Sequence, residues 1–355
     1  MRFERHIVFW LAALLIFVAL LWLLSPILLP FVLGMALAYL LDPLVNRLAA
    51  RGLSRLVAAL LILGVFVIAL AILFLLVAPI LANQFSAFID NAPGYALRLQ
   101  SLVSDPAHPW IKRFVGDNLI GTNKSVGDLM NQAIGYLTTL AASLWSSGRA
   151  LVSIFSLLII TPVVAFYLIC DWDRMVSSID RLLPLRQRET VRRLLAEIDA
   201  AISAYVRGQT GVCLILGCYY AVGLTLAGLS FGVLIGVISG LISFIPYVGS
   251  LTALVLSLAI ALAQFFPDWT RITAVAGIVL FGQFLEGNVL APKFVGESIG
   301  LHPVWLMFAL FAFGYLFGFV GLLLAVPLAA ATGVLVRFGL RRYLASPLYT
   351  GDGPR

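Results

Sequence analysis

GLSFGVLIGVISGLISFIPYVGS, residues 228–250, is apolar enough to lie in a bilayer, yet Gly228, Gly232, Gly236 and Gly240 recur through it at every fourth position. The run then breaks at Pro246, Tyr247, Val248 and Gly249. A similar phrase, GLHPVWLMFALFAFGYLFGFVG, returns over residues 300–321. At one fixed offset Gly228 matches Gly300, Leu229 matches Leu301, Tyr247 answers to Phe319, Val248 to Val320 and Gly249 to Gly321. Interrupted apolar segments at corresponding places in two halves of a chain are the best sequence pointer to a transporter's binding site.

Composition puts both phrases in a membrane. The chain has 355 residues, 62% of them hydrophobic and 11% charged, with a mean hydropathy of +1.07. A water-soluble domain of this length has no way to hide so much apolar surface, and several runs reach the roughly 20 residues that span a bilayer. The expected class is all-α, a polytopic helical membrane protein with an extracytoplasmic helical insertion. It should hold about six full spans plus two broken-helix hairpins, roughly eight to ten apolar segments in all. The net charge of +7 does not call for nucleic acid, because cations at the ends of spans set topology. Cys170, Cys213 and Cys218 lie in apolar stretches without metal-ligand spacing, so they read as packing residues. No metal, cofactor or catalytic residue is expected, and no HExxH, Walker or GxGxxG pattern supports ATP-driven transport by this chain alone.

In chain order, residues 1–6 carry Arg2 and Arg5, and an uncharged run follows over 7–24. It has the polarity of a signal peptide but exceeds the roughly 7–15 residues of such an apolar core, so it reads as an uncleaved first span. Ser25, Pro26 and Pro30 predict a tight turn, 27–41 a short second segment, and 56–80 a third span long enough to tilt. Asp42, Arg47, Arg51 and Arg55 form the basic connection between the last two, and the N-terminal spans together occupy 1–82. The polar section 83–147 sets Arg98, Lys112, Arg113 and Lys124 against Asp90, Asp105, Asp117 and Asp128. Val126, Met130, Ala133, Leu137, Leu140 and Leu144 stand at helical spacing near its end, which predicts an amphipathic helix. That section reads as a helical cap on the membrane domain, with a membrane-surface or subunit contact as the alternative.

Span 4 occupies 148–170 and contains Thr161-Pro162, where the proline kinks the helix and frees a carbonyl for a neighbour. Residues 171–208 form a cytoplasmic amphipathic linker. Val191, Leu194, Leu195, Ile198, Ile202 and Tyr205 make its apolar stripe, beside Arg192, Arg193, Glu197 and Asp199. The transport region with both hairpins is 209–340, and 341–355 is a cytoplasmic tail.

Orientation follows from the Arg bias of the short loops: 1–6, 42–55 and 171–207 fall on one side and are expected to be cytoplasmic. The halves of the first broken stretch, 231–245 and 251–266, are then entered from outside. At about 1.5 Å per residue the first half covers roughly 22 Å, short of a roughly 30 Å hydrocarbon core. The second broken stretch, 304–317 with 322–336, dips from the cytoplasmic side. Whether each is re-entrant or two thin spans, parity is unchanged, and the outline is that of an inverted repeat.

The residues also carry a resemblance. DWDRM after a span, YVRGQ, SFIPYVGS, EGNVLAPKFVG, GLHPVW and FGFVGLLLAVPLAA, in that order and spacing, resemble the autoinducer-2 exporter (AI-2E) family of PerM-type permeases over nearly the whole chain. The resemblance implies a bacterial inner-membrane transporter with both termini cytoplasmic. It further implies export of a small polar solute such as the quorum-sensing molecule autoinducer-2, or else cation/proton exchange. It also implies a homo-oligomer, a pentamer, with an elevator-like moving part.

Candidate pathway residues follow. Glu286 in GQFLEGN is the acidic residue inside an apolar span of the C-terminal half, and intramembrane carboxylates are costly enough to be functional by default. The alternative is pairing with Lys293 or snorkelling from near the helix end. Gln283 and Asn288 could hydrogen-bond a polyol or cap the helix. Pro246, Tyr247, Gly249 and Ser250 form one hairpin tip, and Gly318 and Gly321 the other. Gln209 closes the YVRGQ motif. His302 begins the second hairpin and reads as a capping residue before a ligand. The four-spaced glycines fit a helix face for close packing, with sliding between domains as the lesser reading. Outside transport, GLSFG matches the G-x-S-x-G nucleophile pattern and would mark Ser230 in an intramembrane hydrolase, and a membrane scaffold is the remaining class.

Overall fold

A chain in hydrocarbon has no water to satisfy its backbone, and helices meet that demand within each segment. The computed structural model describes residues 2–104, 135, 148–185, 187–295 and 302–350, and no strand occurs among them. The helices are α1 (Arg2–Ala49), α2 (Arg55–Ser104), α3 (Gly148–Leu182), α4 (Arg188–Leu226), α5 (Gly232–Ile242), α6 (Val248–Phe265) and α7 (Trp269–Leu285). A π-helical segment, Glu286–Val295, continues α7, and α8 (Pro303–Leu344) and α9 (Pro347–Thr350) close the chain. Six described stretches are long and apolar enough to cross a bilayer: Ile27–Ala49, Arg55–Tyr95, Arg188–Leu226, Val248–Phe265, Trp269–Phe294 and Pro303–Leu344. The protein is a multi-pass, all-α membrane protein. Apart from Gly135, the amphipathic helix expected over 126–144 lies outside the described residues, as do the Gly300 and Leu301 end of the second phrase and the last residues of the tail.

Two expectations change. The turn predicted at Ser25–Pro30 is absent, because α1 is helical straight through it. A proline removes one helical bond, whereas opening a turn in an apolar phase strips several backbone groups of partners, so continuing is cheaper. The amphipathic segment 188–208, expected to lie along the inner face before turning into the next span, does not bend there. Residues 171–182 finish α3, and from Arg188 the chain runs straight into the span as α4, 39 residues and about 58 Å of unbroken helix.

The chain divides into two compact units, one of Met1–Val67, Phe155–Gly208 and Phe294–Arg355, the other of Ile68–Ile154 and Gln209–Lys293. In the first, Ala38, Leu41 and Val45 of α1 meet Ala58, Ala59 and Leu63 of α2 and Ala165 and Ile169 of α3 in a buried cluster. Arg55 ties the ends of these helices. Its Nε donates to the Ile169 carbonyl at 2.8 Å, and its guanidinium reaches Asp42 at 3.4 Å and also Asp173. The Tyr39 hydroxyl donates to Asp199 Oδ1 at 2.7 Å, joining α1 to α4. Below them Asp180 accepts from Arg192 Nε at 2.6 Å and from Arg188 Nε at 2.9 Å. Those hydrogen bonds, Arg192's first and then Arg188's, hold the Asp180 carboxyl well below the usual carboxylate range.

The same unit contains the second broken stretch. Within α8, Gly318 adopts φ 60° and ψ −138°, a conformation open to glycine alone. Residues eight apart in a straight helix stand about 12 Å apart along its axis. Here a Cβ on Gly321 would strike the Phe313 carbonyl, and one on Gly314 would meet Leu322 Cδ2 at 2.7 Å. The two limbs therefore fold back on each other at Gly318.

In the second unit α4 is the post. Its small residues Gly217, Ala221 and Thr225 face Gly240, Gly236 and Gly232 of α5, so two four-spaced ridges mesh in antiparallel order. The adjacent face of α4 meets α7: Gly223 lies against Ile278, the Tyr219 hydroxyl donates to the Ile278 carbonyl at 2.9 Å, and the Tyr220 ring covers Gly282. Glutamines close the loops. Gln264 accepts from the Ser230 N–H and donates to the Gly228 carbonyl, both at 2.9 Å. Gln84 of α2 accepts from the Leu234 N–H at 2.8 Å and so satisfies a free donor in the first turn of α5.

Candidate functional site

The first hairpin is held by its tip. Helix α5 ends at Ile242 and α6 starts at Val248, close to the break read from Pro246 to Gly249. Buried Gln209, at the base of the α4 post, donates through Nε2 to the Ser243 carbonyl at 2.5 Å. The Ser243 hydroxyl donates to the Ser239 carbonyl at 2.8 Å, and Gly249 packs so tightly on Ser243 that no side chain fits. Ser250 Oγ donates to the Tyr247 carbonyl at 3.2 Å. Tyr247 itself is left-handed, φ 67°, and half its surface is exposed. A residue with a Cβ in that conformation stores about 1–2 kcal/mol, and such strain collects at functional turns. The structure thus brings Gln209, Pro246, Tyr247, Gly249 and Ser250 into one tip.

Glu286 stands where α7 changes from α- to π-helical winding. Ten residues of π-helix are far longer than the usual single-turn bulge, and π segments concentrate at functional sites because the wider winding displaces carbonyls from their regular partners. Glu286 Oε2 is buried and has no hydrogen-bond partner, and among the described residues no Lys or Arg forms an ion pair with this carboxylate. Lys293 does not pair with it. Gln283 is half-buried on the preceding turn, and Asn288 turns its amide back to the Phe284 carbonyl at 3.1 Å.

Three further buried polar atoms share this isolation, and all lie in the same unit: the hydroxyls of Tyr220 on α4, Ser239 on α5 and Ser257 on α6. Each residue has essentially no exposed surface. An unsatisfied buried hydroxyl costs about 1–3 kcal/mol, so three of them in the unit that also holds the unpartnered Glu286 Oε2 mark that unit as the candidate binding region. Tyr220 lies on Gly282, one helical turn before Glu286. Residue type alone did not single these out. The available signal was a hydroxyl in the middle of an otherwise apolar helix, together with the Gly287 and Pro292 that loosen the end of α7.

Gly318, Gly321 and His302 belong to the first unit. Gly318 is the fold-back of α8 and Gly321 its close contact, while His302 Nδ1 accepts from the Val304 N–H at 3.3 Å and caps α8. Ser230, the hydrolase candidate, sits in a helix–helix turn with its N–H on Gln264 and not on the strand–turn–helix that a nucleophile elbow requires.

The sequence profile of AI-2E family transporters matches residues 11–341. The chain belongs to the AI-2E transporter family. YrrI of Bacillus subtilis is 29% identical over 321 residues, covering 90% of this chain and 89% of YrrI. PerM of Escherichia coli K12 is 30% identical over 308 residues, 86% of this chain and 85% of PerM. TqsA of the same organism, which is named an AI-2 transport protein, is 25% identical over 323 residues, 90% of this chain and 86% of TqsA. These AI-2E relatives match along most of their lengths, so most of both units falls within the shared region. Transport is the role the family carries.

Proposed function

We propose that this AI-2E family member is a secondary transporter that exports a small polar solute, and that Glu286 with the hydroxyls of Tyr220, Ser239 and Ser257 forms its polar pathway. One observation carries the reading: the buried oxygens of Tyr220, Ser239 and Ser257 and Oε2 of Glu286, on four helices of one apolar unit, have no hydrogen-bond partner among the described residues, and one of them belongs to a carboxylate. Donors and acceptors of this kind suit a polyhydroxylated molecule, and the name of TqsA makes autoinducer-2 the first solute to try. Gln283 extends the set, Gln209 fixes the hairpin tip of the same unit, and Asn288 returns its amide to the end of α7; Gly318, Gly321 and His302 shape the second hairpin, in the first unit. The orientation proposed is that of an inner-membrane protein with the Arg-rich segments 42–55 and 171–207 and the C-terminus cytoplasmic, working as a homo-oligomer, a pentamer. The unbroken α1 carries residues 2–6 and 42–49 at its opposite ends, so the expected same-side placement of the N-terminus does not hold.

Cation/proton exchange is the second reading, favoured by a carboxylate that has no basic partner and so can take a proton or a cation in turn. Proteoliposomes separate the two. Autoinducer-2 efflux without pH-driven cation flux supports export, and the reverse supports exchange. Wild-type vesicles that move neither solute nor cation contradict both.

A further inference from the structure

The N-terminal end of α4 and the C-terminal end of α8, cytoplasmic in the orientation proposed above, line a cavity of about 380 Å³ in the first unit that the proposed pathway does not use. Arg193, Arg337, Arg341 and Arg342 line it, with Glu197 as the one acidic group and the buried Val334 among its walls. Arg337 stands 3.7 Å from Glu197, beyond a good hydrogen bond. No carboxylate among the described residues pairs with Arg193, Arg341 or Arg342. Four guanidinium groups against one carboxylate leave a surplus of positive charge in a concave site, and like charges are not gathered this way for stability. The planar guanidinium fork matches the oxygens of a phosphate two at a time, so a phosphate group is the chemistry that answers this arrangement.

The surroundings decide where that phosphate comes from. On the turns of α8 around the arginines, Leu335, Val336 and Leu340 are 52%, 61% and 55% exposed, and Leu195 of α4 is 48% exposed. A free anion has no use for an aliphatic wall next to its site, whereas a glycerophospholipid places acyl chains there. Cations that flank an apolar helix also lie at headgroup depth, and basic pockets at helix ends on the cytoplasmic side bind anionic headgroups. We infer that this cavity binds the phosphate headgroup of an anionic membrane lipid, bridging α4 and α8.

The test uses the full chain in a neutral detergent. It is titrated with phosphatidylglycerol, with phosphatidylcholine of the same acyl chains and with inorganic phosphate, and bound molecules are counted by native mass spectrometry. Saturable binding of phosphatidylglycerol is expected, at least about ten-fold tighter than of phosphatidylcholine or phosphate. Each arginine near an anionic headgroup contributes about five-fold, so Arg193→Gln with Arg341→Gln should weaken phosphatidylglycerol about 30-fold. A charge-matched pair away from the cavity, Arg51→Gln with Arg181→Gln, should leave it unchanged. Should the cavity pair not purify, Arg342→Gln alone should show about a five-fold loss. Equal weakening by the charge-matched pair overturns the site in favour of diffuse attraction. Inorganic phosphate binding as tightly as phosphatidylglycerol overturns the lipid as its ligand.

Discussion

One substitution, glycine to alanine, should change sign between two helices of the second unit. At Gly277 on α7 an added Cβ meets nothing within 4 Å, so the change only restrains the unfolded chain and should stabilise by about 0.5–1 kcal/mol. At Gly236 on α5 the same atom falls on the backbone N and Cα of Ala221 in α4. Backbone cannot swing aside, so the helices must separate, and overpacking of this kind costs about 1–3 kcal/mol. Set against the same propensity gain, Gly236→Ala should destabilise by about 1–2 kcal/mol, roughly a ten-fold shift in the folding equilibrium. Adding Ala221→Gly removes only the opposing Cβ and leaves the backbone N in place, so rescue should be partial. Reversible unfolding in mixed micelles, by steric trapping or denaturant titration, measures all three variants. Gly236→Ala as stable as Gly277→Ala would refute the meshed α4–α5 face.

Other substitutions probe the site and its supports. Tyr220→Phe deletes a buried hydroxyl that has no partner, so the same unfolding assay should show about 1 kcal/mol of added stability while transport falls. A loss of stability would mean that the hydroxyl is already satisfied. Tyr247→Gly relieves the left-handed φ of 67° but loosens the unfolded chain, for a net gain of about 0.5–1 kcal/mol, and a clear loss would show that the ring itself holds the tip. The Asp180 carboxyl is depressed by Arg192 and Arg188, so its contribution is fully present above the unfolded value near pH 4 and is lost only as pH falls through the lower folded value. The gap in melting temperature between wild type and Asp180→Asn should therefore stay constant from about pH 7 to about pH 4 and close below that. A gap that closes between about pH 6 and pH 5 would contradict the assignment.

The break at Pro246–Gly249 was legible because glycine and proline act locally, and α5 and α6 end within a few residues of the predicted halves. The four-spaced glycines were equally readable as a packing face, but their partner was not. Gly217, Ala221 and Thr225 became visible only once α4 ran antiparallel to α5. Glu286 could be chosen from the sequence because a carboxylate in an apolar run is expensive wherever it lies. The π-helical winding that begins at it and the isolation of Tyr220, Ser239 and Ser257 depend on what neighbouring helices fail to supply, which no spacing rule encodes. The turn at Ser25–Pro30 misled for the opposite reason. Proline there reads locally as a break, and the cost of bare backbone in an apolar phase prevails over it.

The most direct measurement is solute flux in proteoliposomes with wild type, Glu286→Gln and, as a neutral reference, Gly277→Ala. Glutamine keeps the shape of the side chain and removes its charge, and losing a charged hydrogen bond of about 1.5–3 kcal/mol predicts flux lowered roughly ten- to a hundred-fold. Stability should stay equal or rise, and the reference should transport as wild type does. Full flux through Glu286→Gln would contradict the claim that the unpaired carboxylate at the start of the π-helix lies on the transport pathway.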